Sequence, residues 1–160
     1  MTKLILVVED NRDDQLFILG NLKKSENYTV ICTPDGEAAK QFLEKQTHDL
    51  PSLIILDLSL PKVSGLDFLR ALRANERTKY VPVVVLSSSK EHVDIQRAFA
   101  FGCNSYLYKP IVYEEFRDLM LQISDYWCMR NVSPIGLDVP STLDNDDLAP
   151  LIDLRKFREG

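Results

Sequence analysis

Four short segments of this chain each run up to a chemically loaded side chain, and this recurrence limits the possible folds. Val7 and Val8 lead into Glu9 and Asp10, residues 53–56 into Asp57, residues 83–86 into Ser87, and residues 105–108 into Lys109 and Pro110. Short uninterrupted apolar runs are the pattern of strands buried on both faces of a parallel sheet. In an open parallel α/β sheet, ligands and reactions sit in the crevice beyond the carboxyl ends of the strands. Three carboxylates, a hydroxyl and an ammonium from distant parts of the sequence would therefore meet in one place.

The intervening segments carry helical spacing. From Asp13 onward, Leu16, Leu19 and Leu22 recur as a helix requires. Residues 28–32 read as a second strand, and Asp35 offers an N-cap ahead of Ala38, Ala39, Phe42 and Leu43. Residues 64–67, Ser-Gly-Leu-Asp, have capping-box character ahead of Leu66, Leu69 and Leu72. A fourth strand is expected over residues 81–86, with Pro82 tolerated at its start. Residues 93–101 form a less clearly amphipathic helix that Gly102 can end. After a short fifth strand around Tyr106, the residues Phe116, Leu119, Met120, Ile123 and Trp127 make one long apolar stripe. Five β–α units in succession predict an α/β fold, a doubly wound five-stranded parallel sheet with right-handed crossovers and helices on both faces.

A length of 160 residues with 45% hydrophobic content suits one domain and a tail. The formal net charge of -5 argues against a nucleic-acid partner, which normally selects a basic face. No apolar stretch approaches the ~20 residues that span a bilayer, and the N-terminus lacks a basic region followed by a long apolar core. A soluble, cytoplasmic protein with no membrane partner is expected. Cys32, Cys103 and Cys128 are scattered and odd in number, without CxxC spacing, so neither a disulfide framework nor a zinc site is indicated. His48 and His92 lie away from strand ends and receive no role.

Beyond about Val132 the composition changes to prolines and aspartates without a strong period. Residues 148–157 have the spacing for one or two helical turns; a loosely ordered acidic tail is the other reading. The expected division is a domain over residues 1–131 and an acidic, proline-containing tail over 132–160. About 30 residues are too few for an independent output domain without staples, so the output is expected to be a binding event.

If the first and third strands are neighbours, Glu9, Asp10 and Asp57 crowd together, which is costly unless something neutralises them. A hard divalent cation is the natural solution, and Mg²⁺ typically takes one or two carboxylates, keeps waters and recruits phosphate oxygens. The other reading is a set of solvated acids near helix N-termini, where negative charge is favoured. An aspartate carboxylate such as Asp57 can accept a phosphoryl group as an acyl phosphate when the added negative charge is balanced. Lys109 supplies that balance on one side and the metal on the other, with Ser87 as a hydroxyl donor to a phosphoryl oxygen. Taken singly, Ser87 reads as a loop hydroxyl and Lys109 as a surface lysine; the order of the four sites sets those readings aside.

Residues 8–11 (Val-Glu-Asp-Asn), 56–61 (Leu-Asp-Leu-Ser-Leu-Pro), Gly65, 84–88 (Val-Val-Leu-Ser-Ser) and 106–110 (Tyr-Leu-Tyr-Lys-Pro) resemble the receiver domain of bacterial two-component response regulators. The resemblance covers roughly residues 1–130. It implies a flavodoxin-like sheet of order 2-1-3-4-5 and Asp57 as phosphoacceptor. Asp10, Asp57 and the backbone carbonyl of Ser59 would ligate Mg²⁺, with Glu9 acting through bound water. Ser87 would be the switch hydroxyl, Tyr106 the aromatic switch and Lys109 the phosphate-pairing cation before a cis Pro110. Ser59 and Ser89 occupy positions that tune phosphoryl lifetime in receivers. The implied phosphodonor is a sensor histidine kinase, and the protein would catalyse only its own phosphoryl transfer and hydrolysis. Residues 84–89 and the helix ending in Tyr126 and Trp127 are also similar to stand-alone regulators paired with phytochrome-type kinases. Tyr113 and Tyr126, lying off the apolar stripe, point to a homodimer through the fourth helix, fifth strand, fifth helix and tail.

Three other readings compete. An aspartate-nucleophile phosphatase needs a second aspartate two residues after the nucleophile, where this chain has Ser59. A flavodoxin-like FMN carrier needs a phosphate nest after the first strand, where this chain has Glu9, Asp10, Asp13 and Asp14. A non-phosphorylated pseudo-receiver would act as a docking module.

Overall fold

The computed structural model describes residues 3–22, 26–46 and 50–135. Its strands are β1 (Lys3–Val8), β2 (Tyr28–Thr33), β3 (Leu53–Leu56), β4 (Val83–Ser87) and β5 (Ser105–Tyr108). All pair in parallel, in the order β2-β1-β3-β4-β5. Between and after them run α1 (Arg12–Leu22), α2 (Gly36–Lys45), α3 (Gly65–Ala74), α4 (His92–Ala100) and α5 (Tyr113–Ser124).

Alternation along each strand divides the core in two, because successive side chains of a strand point to opposite faces. Ile5, Val7, Leu53, Ile55, Val84 and Leu86 pack with Ile18 and Leu22 of α1 and with Phe116, Met120 and Ile123 of α5. Leu6, Val8, Ile54, Leu56, Val83 and Val85 pack on the other face with residues of α2, α3 and α4. Both faces of the central strands are thus dry, which is why they read as unbroken apolar runs.

The expected caps form. Asp35 Oδ1 accepts from the Ala38 N–H at 2.8 Å and starts α2. Ser64 Oγ accepts from the Asp67 N–H at 3.2 Å and donates to Asp67 Oδ2 at 2.8 Å, so the capping pair closes side chain to side chain. Gly102, at φ 91°, follows the end of α4 in a backbone conformation that glycine takes without a Cβ penalty.

Four expectations are corrected. The buried face of α1 carries Gln15, Ile18, Asn21 and Leu22, whereas Leu16 is 53% exposed. The Gln15 side-chain amide donates to the Glu9 carbonyl and turns a polar residue inward, so that of the three leucines Leu16 alone leaves the core, while Leu19 is half-buried against it and Leu22 is fully buried. Strand β4 begins at Val83, one residue after Pro82, whose carbonyl still accepts from the Ile54 N–H at 2.9 Å. No cis peptide occurs among the described residues, so the bond before Pro110 is trans and the expected cis Pro110 is not present. Trans is the default by about 0.5–1 kcal/mol even for an X–Pro bond, and from it Lys109 reaches its partners while its N–H extends the β4–β5 ladder to the Ser87 carbonyl at 2.9 Å. Finally, α5 continues as a π-helical turn, Asp125–Arg130, which buries Cys128.

Tyr113, expected at a dimer contact, packs edge-on against Phe17 of α1 with ring centroids 4.5 Å apart. After the π turn the chain passes to the other side of the sheet, and Ile135 packs against the cluster beneath α2, α3 and α4. His48, residues 136–160 and the helical turns expected over 148–157 lie outside the described residues. Among the described residues, no helix is long and apolar enough to cross a membrane.

Candidate functional site

The strand register decides which groups meet. Val8 pairs with Leu56, and the Asp57 N–H donates to the Val8 carbonyl at 3.0 Å, so β1 and β3 end level. Carboxylate oxygens of Glu9, Asp10 and Asp57 consequently lie within 4.8 Å of one another. On the other side of β3, Ser87 closes β4 and pairs with Tyr108, which places Lys109 just beyond the end of β5.

Lys109 Nζ donates to Glu9 Oε2 at 2.8 Å, Asp14 Oδ2 at 2.9 Å and Asp57 Oδ2 at 3.2 Å. Its side chain is only 13% exposed, so these contacts are far less screened than a surface pair. Burial works to lower the Lys109 pKa, but the hydrogen bonds to Glu9 and Asp14 and the charge of Asp57 outweigh it and raise it. Glu9, 2% exposed, is pushed up to about 6: burial raises it most and the Asp57 charge adds to that, against the Lys109 hydrogen bond and the Asn11 N–H. The ammonium does not balance the carboxylates around it, and the Asp10 carboxylate is exposed at the mouth of the cluster.

The Asp57 carboxylate is oriented at both oxygens. Oδ2 faces Lys109, while Oδ1 accepts from the Ser59 N–H at 3.1 Å. Gly65 lies under the same loop: a Cβ there would stand 2.4 Å from the Asp57 carbonyl oxygen and 2.6 Å from Leu58 Cα. The Gly65 N–H donates to the Leu58 carbonyl at 3.2 Å, tying the start of α3 to the residue after Asp57.

Ser87 is fully buried, and its Oγ accepts from the Ser89 N–H at 3.2 Å. Tyr106 donates its hydroxyl to the Ser89 carbonyl at 3.0 Å, while Ser89 Oγ donates to Asp94 Oδ2 in the first turn of α4 at 2.7 Å. Burial raises the Tyr106 phenol pKa, opposed by hydrogen bonding with Ser87 and Ser89. Ser89 therefore touches both the hydroxyl at the end of β4 and the aromatic ring on β5.

The family model of the response regulator receiver domain matches residues 5–121. The chain belongs to that family. It is 36% identical over 136 residues to the probable methanogenesis regulatory protein FilR2 of Methanothrix harundinacea, covering 82% of this chain and 87% of that protein. It is 34% identical over 130 residues to response regulator Rcp1 of Synechocystis sp., covering 78% of this chain and 88% of Rcp1. The crystal structure of Rcp1 in its Mn²⁺-bound form superposes with a TM-score of 0.76 at 33% identity, covering 82% of this chain and 99% of that one. The phosphorylated cyanobacterial phytochrome response regulator RcpA superposes with a TM-score of 0.79 at 30% identity, covering 84% of this chain and 99% of that one.

Receivers belong to two-component signalling and bind a divalent cation. In this receiver the donor set fits such an ion: three carboxylates converge at one crevice with too little positive charge nearby, and hard oxygen donors suit Mg²⁺ or Mn²⁺. Of the strand-end residues singled out in the sequence, Glu9, Asp10, Asp57 and Lys109 meet in this crevice, and Ser87 closes the neighbouring strand β4. Asp14 was missed as a partner of Lys109; its only local signal was an acidic residue in the first turn of a helix, the usual place for one.

Proposed function

We propose that this receiver accepts a phosphoryl group on Asp57 from a phosphohistidine of a sensor kinase and signals through altered protein contacts. The observation that carries the reading is the Asp57 carboxylate, held between Lys109 and the Ser59 N–H at the end of β3 beside two further carboxylates. An Asp57 oxygen forms the new bond to phosphorus as the phosphorus–nitrogen bond to the kinase histidine, its other ring nitrogen protonated, breaks with its electron pair left on nitrogen, giving an acyl phosphate and a neutral imidazole. Lys109 offsets the growing negative charge on one side. Glu9, Asp10, Asp57 and the Ser59 carbonyl are the residues that would hold Mg²⁺, Glu9 through water; the bound cation supplies positive charge to the phosphoryl oxygens.

Ser87 is the hydroxyl that turns toward the phosphoryl group, and Tyr106 is the ring that responds. The Ser89 contacts to both residues, and to Asp94 on α4, support a change propagating to the face made by α4, β5 and α5. That face exposes Val93, Phe99, Tyr108 and Leu121, which suits a protein partner or a second copy of the chain. Residues 1–131 constitute the receiver and 132–160 its tail, and the protein works in the cytoplasm. The likeness to Rcp1 and RcpA supports a phytochrome-type kinase as donor.

Intact mass after incubation with acetyl phosphate, with and without Mg²⁺, tests the chemistry. One Mg²⁺-dependent phosphoryl addition, absent in Asp57→Ala, is expected. No addition under either condition would leave the non-phosphorylated docking module as the better account.

A further inference from the structure

An ammonium has three N–H donors, and Lys109 has all of them engaged: Nζ donates to Glu9 Oε2, Asp14 Oδ2 and Asp57 Oδ2. A phosphoryl oxygen can accept from Nζ only if one of these carboxylates gives way. The incoming group also carries negative charge into a place where one ammonium already faces three carboxylates. The partner that leaves should therefore be one whose charge leaves with it.

Their surroundings single one out. The Glu9 side chain is 3% exposed, and turning it off Lys109 would leave an unpaired charge in the interior. Asp57 is the acceptor and stays beside the phosphorus it binds. The Asp14 side chain is 29% exposed, so water can replace the hydrogen bond that its carboxylate gives up. Its backbone is fixed, because Asn11 Oδ1 caps α1 by accepting from the Asp13 and Asp14 N–H groups, both at 3.0 Å. Release then needs only rotation about the Asp14 side-chain bonds, with the helix left in place.

We propose that Asp14 is the exchangeable partner of Lys109: its carboxylate holds the ammonium in the resting protein and turns out to solvent when a phosphoryl oxygen takes its place on Nζ. Asp14 is a positioning residue that acts through Lys109 and touches neither the phosphoryl group nor the metal. Lys109 keeps its proton throughout, and only hydrogen bonds are exchanged. The Asp14 anion thereby opposes phosphoryl uptake. The proposal rests on the reading of Asp57 as phosphoacceptor.

Beryllofluoride, which binds an aspartate carboxylate in the manner of a phosphoryl group, is the probe, added to the full ¹⁵N-labelled chain at saturating Mg²⁺. In Asp14→Ala the concentration that half-converts the Ser87 and Lys109 amide signals is expected to fall about fivefold, the scale of a partly exposed ion pair. Asp14→Glu, which restores an anion, should return it toward the original value. Asp13→Asn removes an equal charge from an exposed position in the same helical turn and should shift it by less than about twofold, as for a screened charge in water. In the unmodified chain, the carboxyl carbon signal of Asp14 should move toward that of Asp13 as beryllofluoride binds.

Equal shifts in Asp14→Ala and Asp13→Asn would reduce Asp14 to a general charge and overturn the proposal. Weaker binding in Asp14→Ala, or a stationary Asp14 carboxyl signal, would overturn it too. Those failures leave the phosphoacceptor reading intact as long as the unmodified chain binds beryllofluoride. If it binds none and acetyl phosphate adds no phosphoryl group, that reading falls and this inference with it.

Discussion

Lys109 Nζ lies 3.2 Å from Asp57 Oδ2 while also holding Glu9 and Asp14, so one ammonium just beyond β5 gathers carboxylates from just beyond β1, from α1 and from just beyond β3. Replacing it with an apolar side chain of similar length removes the positive charge but leaves the buried Glu9 and Asp57 in place. Lys109→Met is expected to cost the metal-free protein about 2 kcal/mol, in the range for losing charged hydrogen bonds at a largely buried site. Urea unfolding in EDTA measures this, and acetyl phosphate labelling of the same variant should fall sharply. Unchanged stability would mean that the cluster is neutralised in some other way.

Asp10 contributes charge to the cluster from its exposed rim and takes no part in the Lys109 hydrogen bonds. Asp10→Asn is expected to stabilise the metal-free protein by about 1 kcal/mol, the scale of a solvent-exposed like-charge contact near 4 Å. It should also weaken divalent-cation binding at least tenfold. Calorimetric titration with Mg²⁺ or Mn²⁺ reads the second effect, and a loss of stability in EDTA would contradict the first.

Gly65 is required by contact and not by backbone angle. A Cβ would meet the Asp57 carbonyl and Leu58 Cα, both backbone atoms that cannot rotate away. Gly65→Ala is therefore expected to destabilise by about 3 kcal/mol or more, at the upper end for overpacking. It should also displace the loop that orients Asp57 and reduce phosphoryl incorporation. A variant with full stability and full labelling would disprove the close approach.

Asp35 caps α2 and pairs with Lys62 across 3.1 Å. The Ala38 N–H and then the Lys62 ammonium hold its pKa below the usual 3.8. With the folded value below the unfolded one, its contribution is complete above about pH 4 and is lost as pH falls through the folded value. Asp35→Ala is expected to cost about 1 kcal/mol at pH 7 and to flatten the decline in thermal midpoint below pH 4. Asp35→Asn, which keeps a capping oxygen, should lose the pH dependence while retaining most of the stability at pH 7.

Local pattern carried the elements well where one side chain's neighbours in sequence decided its environment. The dry central strands had to be apolar on every residue, and Asp35 and Ser64 cap helices whose first turns they touch. The leucine spacing of α1 holds for the helix and for Leu19 and Leu22 but not for Leu16, because Gln15 takes an inward position through a hydrogen bond to the Glu9 carbonyl, six residues back in a loop, which no helical period encodes. Tyr113 is met edge-on by Phe17 from another helix, a contact its own helix does not encode, and remains 58% exposed.

By itself the sequence determined the alternation of strands and helices and the chemical identity of the groups at the strand ends, because both follow from local composition and short-range spacing. Only the tertiary structure decided that Asp14 joins Glu9 and Asp57 on Lys109, that the Pro110 peptide is trans, that α5 runs on into a π turn and that Ile135 packs against the apolar cluster shared by α2, α3, α4 and the sheet. The Lys109 pairings and the placement of Ile135 depend on residues far apart in the chain, brought together by register and crossover, and such distances leave no periodic trace.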